Sequence, residues 1–396
     1  MTRARPVGPL AKVLPAVALL AAGAVAACSS SPASPTSASG TGGGAQAAVS
    51  MATSFATQAY SWAVVRMSSD PAFWEVFDRA ANSRTWQLVT PPGVADNGGL
   101  VASANGEKSL TIAVRPSQDL VFSPLTATAD GGTTWSADGP INASVAASPG
   151  ALSAFGAKLV ALLGNGAIDA SSNAGASWST MAAPGALAAS AAAKGCGGAV
   201  RVTTISFGPT GTDVLAGGTC GTGGTAAMFD YSAGSGWQRA SLPASSQIVQ
   251  LTDASVLVLG KSGLTALWPA LAPETAPAAA STWSASAPLP VTGAIAASGS
   301  LAAAAADTAA GSWVLLSDGR AATIGGPSAK ISAVPRWQVL PRVPAHTSVL
   351  ASGPDGAVDA LAVSGATLAV WRLATDSTTW SIVQAITVPL QYGSSS

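Results

Sequence analysis

Thr128-Ala-Asp130-Gly-Gly132-Thr-Thr134-Trp135 compresses a hydroxyl, a carboxylate, two glycines, two more hydroxyls and an indole into eight residues. A carboxylate there can accept backbone N–H groups, glycine takes backbone conformations other residues resist, and the indole is left to pack between sheets. The string reads as the closing turn of a β-hairpin. A second copy, Ser171-Ser-Asn173-Ala-Gly175-Ala-Ser177-Trp178, differs mainly by Asn for Asp and Ser for Thr. Weaker copies stand at Ser232-Ala-Gly234-Ser-Gly236-Trp237, Asp376-Ser-Thr-Thr379-Trp380 and Ser83-Arg-Thr85-Trp86, while Ser281-Thr282-Trp283 and Arg336-Trp337 keep only the end.

Working outward, seven of the twelve tryptophans form a series: Trp86, Trp135, Trp178, Trp237, Trp283, Trp337 and Trp380. Their spacings of 49, 43, 59, 46, 54 and 43 residues average 49. That period matches the blade of a β-propeller and not the shorter leucine-rich, ankyrin or tetratricopeptide units. A proline follows each tryptophan within four to nine residues, as in Trp86 to Pro91 and Trp337 to Pro341. Lacking an N–H, proline suits the end of an outer edge strand. Short β-rich runs precede each tryptophan, among them 60–65, 159–163, 201–206 and 368–373. The sequence therefore predicts an all-β, seven-bladed β-propeller, with six or eight blades the alternatives and a one-strand offset at closure compatible with the weak N-terminal pattern. The blades are expected at 49–91, 92–140, 141–184, 185–243, 244–290, 291–344 and 345–390, each with its own four strands and no strand exchanged at closure.

The Thr128–Trp135 string matches the Asp-box, S/T-x-D-x-G-x-T-W, at every defined position. The chain from about residue 49 to 390 thus resembles the Asp-box (BNR-repeat) propellers, which include sialidases, other glycoside hydrolases, sorting-receptor ectodomains and photosystem-assembly factors. The resemblance implies that Asp-box turns lie opposite the functional mouth, which is built by the loops from strand 2 to 3 and from strand 4 to the next strand 1. It makes Thr128, Asp130, Gly132, Thr134, Trp135, Ser171, Asn173, Gly175, Ser177 and Trp178 structural. Members differ in function, so the resemblance assigns none.

The N-terminus sets the compartment. Arg3, Arg5 and Lys12 precede an uncharged, mostly apolar run from Val13 to Ala27 that ends in small side chains at a cysteine. That is a secretory signal, too short for the roughly 20 residues of a transmembrane helix. Val25-Ala26-Ala27-Cys28-Ser29 resembles a bacterial lipobox, which implies cleavage before Cys28 and acylation of its thiol. Two or more acyl chains at about 0.8 kcal/mol per buried CH₂ would hold the protein on a bilayer. Residues 29–48 are Ser, Pro, Gly, Thr, Ala and one Gln, the composition of a flexible tether of roughly 25 Å reach. The expected organisation is signal peptide 1–27, lipidated Cys28 and linker 28–48, propeller 49–390 and tail 391–396. Localisation follows as the outer face of the cytoplasmic membrane, or the outer membrane if the host is Gram-negative. With 18 basic and 18 acidic residues and only 9% charged, no sustained positive surface for nucleic acid is present.

Cys196 and Cys220, 24 residues apart in blade 4, fall on the mouth side and are expected to form a disulfide, worth about 3 kcal/mol in the chain-entropy model. A redox or metal site there would lack the CxxC or histidine spacing. Other mouth candidates are Asp70, Arg115, Asp119, Asp318, Arg320 and the single histidine, His346. No cofactor or metal is expected. A sialidase, by family resemblance, needs an arginine triad, a tyrosine nucleophile paired with glutamate, and an acid aspartate. The mature chain offers only Tyr60, Tyr231, Tyr392, Glu75, Glu107 and Glu274, none convincing as mouth machinery. Two aspartates at glycosidase separation would serve a different mechanism. The sequence therefore favours a non-catalytic propeller binding a protein or glycan, with a sialidase-like or other glycoside hydrolase as the alternative.

Overall fold

In the computed structural model the described residues are 52–67, 73–91, 94, 97–104, 106–116, 122–142, 149–243, 247–251, 255–269, 283–291, 294–300, 311–316, 318–325 and 336–389. At 97, 98, 115, 116, 122, 137–142, 250, 269, 294–300 and 311 only the backbone is described. The signal, Cys28, the linker and the tail lie outside the described residues.

Among the described residues, 28 strands fall into seven consecutive antiparallel groups of four. These blades run over 53–88, 97–142, 149–182, 200–240, 247–285, 294–340 and 347–387. Each holds its own four strands in chain order, innermost first, and the chain is a seven-bladed β-propeller. The expected limit between blades 2 and 3 at residue 140 is two residues early, because the outer strand Ser136–Asn142 continues through Pro140. Blade 4 opens not on a strand but on a short helix, Ala186–Ala189, and a 3₁₀ turn, Ala191–Ala193.

Alternation explains the layering. Successive strand residues point to opposite faces, so each blade offers apolar rows to both neighbours. In the third strand of blade 1, Trp74–Ala80, Val76 packs towards blade 2 with Leu100 and Ile112, whereas Phe77 packs towards blade 7 with Leu361 and Val370. Seven apolar clusters result, one per junction, and that between blades 7 and 1 completes the ring. Every tryptophan of the series packs against the preceding blade: Trp135 with Tyr60 and Val89, Trp178 with Leu125, Trp380 with Leu340.

One tryptophan differs in having a charged acceptor, whereas Trp380 Nε1 donates to the Pro341 carbonyl at 3.4 Å. Trp86 is buried to 1% exposure, and its Nε1 donates to Asp359 Oδ2 at 2.9 Å across the closing junction. The indole N–H groups of Trp135, Trp178, Trp283 and Trp337 are buried without a hydrogen-bond partner. Asp359, wholly buried in the second strand of blade 7, also accepts a bidentate pair from Arg372, Nε to Oδ1 at 2.7 Å and Nη2 to Oδ2 at 2.8 Å. From blade 1, Arg79 approaches the same carboxylate at 4.0 Å and donates to the Ser352 carbonyl of blade 7 at 2.9 Å. Gln384 of the outer strand of blade 7 takes the place of a neighbouring backbone, accepting from Trp86 N and donating to Trp86 O, both at 2.8 Å.

The inner strands add a second tie. Those of blades 1 and 6 pair in parallel at Phe55–Gly299 and Ala56–Ser300, and Ser54 Oγ donates to Leu350 O of blade 7 at 2.7 Å. These pairs lie at the strand ends remote from the blade-to-blade links, so the axis narrows on that side.

Truncating a buried ionic hub costs more than the hub contributes, because its partners stay buried and unpaired. Asp359→Ala should therefore destabilise by about 3–5 kcal/mol. Trp86→Phe should cost about 1.5–3 kcal/mol for its bond to a charged acceptor. Trp178→Phe, which loses no hydrogen bond, should cost less. Thermal unfolding midpoints of the three variants check this order.

Candidate functional site

Antiparallel succession puts the turns between strands 1 and 2 and between strands 3 and 4 of every blade on one face. The strand 2 to 3 loops and the blade-to-blade links share the other face, the mouth. Thr128–Trp135 and Ser171–Trp178 are both strand 3 to 4 turns and lie opposite the mouth.

Their hydrogen bonds explain the residue choice. Asp130 Oδ1 accepts from Thr134 N at 2.9 Å and from Thr128 Oγ1 at 2.8 Å, while Oδ2 accepts from Thr134 Oγ1 at 2.6 Å. These bonds, Thr134's hydroxyl first, hold the exposed Asp130 carboxyl below the ordinary aspartate range. In the other turn Asn173 Oδ1 accepts from Ser177 N and Ser171 Oγ, both at 2.9 Å. Its Nδ2 then donates to Ser177 Oγ at 2.9 Å, reversing the sense of the last bond with no change of shape. Gly131, at φ 72°, lies so close under blade 1 that a Cβ would sit 2.3 Å from the Tyr60 ring. Such turns hold sheets in place.

The mouth face carries a different set. Cys196 and Cys220 are joined by a disulfide that ties the segment after the short helix to the end of the second strand of blade 4. Leu187 and Ala193 of that insertion are buried in the junction between blades 3 and 4, and Arg239 Nη1 lies 3.9 Å from Cys196 Sγ. Asp318 and Arg320 occupy the strand 2 to 3 turn of blade 6. Asp318 Oδ2 accepts from Arg320 Nε and Nη2, both at 2.7 Å, and Oδ1 accepts from Arg320 N at 3.0 Å. The Arg320 hydrogen bonds hold the exposed Asp318 carboxyl low, and Asp318 raises Arg320 in turn. His346 lies in the link into blade 7 with φ 62°, its carbonyl accepting from Val363 N at 3.0 Å. Arg115 belongs to the mouth end of a blade 2 strand, with only its backbone described. Asp70 and Asp119 lie outside the described residues. Asp318 and Arg320 are thus brought together, and nothing described brings His346 or Arg115 to them. Near the face away from the mouth, Tyr60 stacks on Trp62 at a centroid distance of 5.4 Å and Tyr231 meets Trp237 at a tilt, 5.1 Å away.

Two features carry no sequence signal of their own kind. The Arg79–Asp359–Arg372 hub is one, although a lone aspartate in the apolar strand Val358–Ser364 hints at a buried partner. The other is a cleft of about 660 Å³ beside that hub, on the face away from the mouth, walled by Arg84, Asp355, Arg372, Thr375 and Asp376. Asp355 there adopts φ 55° and pairs with Arg84 at 3.9 Å, both side chains exposed. Among the described residues no group of three or more His, Cys, Asp or Glu is placed to hold a metal ion. No described helix is long and apolar enough to cross a membrane.

No family model matches the chain, and no curated protein matches it. Solved structures do. A protein from Lactobacillus plantarum is similar at a TM-score of 0.50 and 9% identity, covering 84% of this chain and 97% of that one. YCF48 bound to a D1 peptide is similar at 0.49 and 15%, covering 84% and 95%. A putative 6-phosphogluconolactonase from Bacteroides uniformis stands at 0.48 and 10%, covering 84% and 97%. The likeness is one of fold.

Burial also shifts carboxylates at the junctions. It pushes Asp78, opposite Trp62 between blades 1 and 2, up to about 7, and raises Asp230. Burial raises Glu75 as well, against the lowering effect of a hydrogen bond donated by Thr90. A carboxyl raised on folding binds protons more tightly in the folded state, so stability falls as pH rises from the unfolded value to the folded one. For Asp78 that window runs from 3.8 to about 7. Asp78→Asn should raise the unfolding midpoint at pH 8 and flatten its pH dependence across this window, as thermal scans at a series of pH values will show. Reduction of Cys196–Cys220 should expose two titratable thiols and cost about 3 kcal/mol, measured as a lowered denaturant midpoint.

Proposed function

We propose that this protein is an exported bacterial lipoprotein, held on a membrane through lipid on Cys28, whose BNR-type propeller binds a protein or glycan without catalysing its turnover. The single observation that carries the reading is the Cys196–Cys220 bridge. Structural disulfides persist in oxidising, extracytoplasmic surroundings and are rare in the cytosol. That compartment agrees with the basic start, apolar run and lipobox-like Val25–Ser29 of the sequence. The bridge stiffens the mouth of blade 4 at a helical insertion that the other described blades lack, and a pre-organised rim lowers the entropy cost of holding a partner.

Arg320, fixed by Asp318, and His346 are the described polar groups proposed to set specificity, with Asp70, Arg115 and Asp119 completing the rim. Growth with a labelled fatty acid should mark the wild-type protein, whereas Cys28→Ala should be unlabelled and leave the membrane fraction. Cross-linking on whole cells should recover a partner that an Arg320→Ala/His346→Ala protein captures at least tenfold less well, matching about 1.4 kcal/mol. Turnover of a fluorogenic glycoside, sialosides included, that Asp318→Asn abolishes would instead establish a hydrolase.

A further inference from the structure

The first described strand, Thr53–Ala56, is the innermost of blade 1 and begins at its mouth end, so the preceding chain joins the propeller on the mouth face. The same face carries an excess of positive charge. Among the described residues Arg66, Lys194, Arg201, Lys261 and Arg342 are exposed at mouth-side strand ends, loops and links, and Arg320 is half-exposed. The exposed carboxylate described there, Asp318, is already paired with Arg320. Counted by sequence alone, the segments joining strands on this side add Asp70, Asp96 and Asp119, and Arg115 ends a strand beside them, which leaves the basic residues in excess. The opposite face carries the exposed or half-exposed Glu107, Asp130, Asp213, Asp355 and Asp376 against Arg84, Lys108, Lys158 and Arg336.

We infer that the mouth face docks on an anionic phospholipid bilayer, its basic rim against the headgroups. The cations are spread over blades 1, 4, 5 and 6 and the link into blade 7, and do not converge on one pocket, which suits a broad flat surface better than a small anion. Each basic side chain near an anionic surface adds a modest attraction, and attachment through the same face supplies it at the high effective concentration of an intramolecular encounter. What the mouth then holds is a protein or glycan presented at the membrane surface.

All seven junction clusters are drawn from residues after 51, so a protein beginning at Gln46 keeps the ring. Lacking Cys28, it tests docking independently of lipidation: loss of fatty-acid label in cells strikes the anchor alone, and loss of vesicle binding strikes the docking alone. It should co-sediment with phosphatidylglycerol-containing vesicles, not with pure phosphatidylcholine vesicles, and should be released by high salt. Arg201→Glu/Lys261→Glu/Arg342→Glu should weaken binding on the order of 100-fold, since three lost attractions of about one RT ln 5 each multiply. Lys108→Glu/Arg336→Glu, on the far face, should leave it unchanged, and matching circular dichroism spectra show that each variant folds. Equal binding to both vesicle types, no binding to either, equal sensitivity to the far-face pair, or binding to soluble polyglutamate in place of vesicles would overturn the proposal.

Discussion

Asp359 is the residue on which the ring depends. A propeller made of consecutive four-stranded blades has no strand crossing from last to first, so the junction of its last and first blades rests on side chains, aided by the inner-strand pairing of blades 1 and 6. At the other junctions an indole wedge and apolar packing are joined by neutral or single hydrogen bonds, such as those from Ala154 N to Ser103 Oγ and from Phe207 N to Ser153 Oγ, and the chain itself runs from one blade to the next. At the junction of blades 7 and 1 no covalent link holds the sheets together, and there Trp86 is fully buried and gains a charged acceptor. Arg372 neutralises that acceptor from within blade 7, and Arg79 reaches it from blade 1. The low local dielectric strengthens these bonds and makes the loss of any one costly. Gln384 completes the junction by giving the backbone of Trp86 the two hydrogen bonds that an exchanged strand would have supplied.

The repeated turns do separate work. In blade 2 Asp130 organises the turn and Gly131 lets it lie under Tyr60, so each turn also spaces neighbouring sheets. Blade 3 reaches the same shape with Asn173, and Ala174 stands at φ 56° where blade 2 has glycine. A non-glycine residue in the left-handed region carries a conformational cost, which the bond from Ala174 N to Ala157 O and the surrounding packing offset. Degeneracy along the chain therefore leaves the geometry intact while the chemical identity drifts, as expected of a folding element and not of a reactive site.

This division explains what could be read in advance. The tryptophan series marked every junction, because one large indole per blade is a local, periodic signal that survives the loss of its flanking residues. Blade limits followed within a few residues, missing at Asn142 because Pro140 ends no strand there. Hidden from the sequence were the partners of Asp359, which lie 273 residues away at Trp86 and 13 away at Arg372. No period links them. The helix at Ala186–Ala189 was equally hidden, since an alanine-rich run within an alanine-rich chain carries no contrast. At the mouth, placement by loop type put Asp318 and Arg320 on one turn, yet pairing between them depends on Gly319 at φ 79° turning the chain back.

The two faces also differ in how they are held, and this bears on function. The face away from the mouth is crowded with internal bonds: the strand 3 to 4 turns, the hub at Asp359, and the parallel pairing of the inner strands of blades 1 and 6. Its polar groups are largely spent on the fold. Among the described residues the mouth is braced by one disulfide and one tight ion pair besides its turn and link hydrogen bonds, and more of its basic side chains stand exposed. Groups already committed to partners lose those bonds when they meet a ligand, whereas uncommitted ones lose only water, so the cost of recognition is lower at the mouth. Because the first described strand also begins on that side, a rigid ring braced from behind leaves its adaptable surface next to the start of that strand.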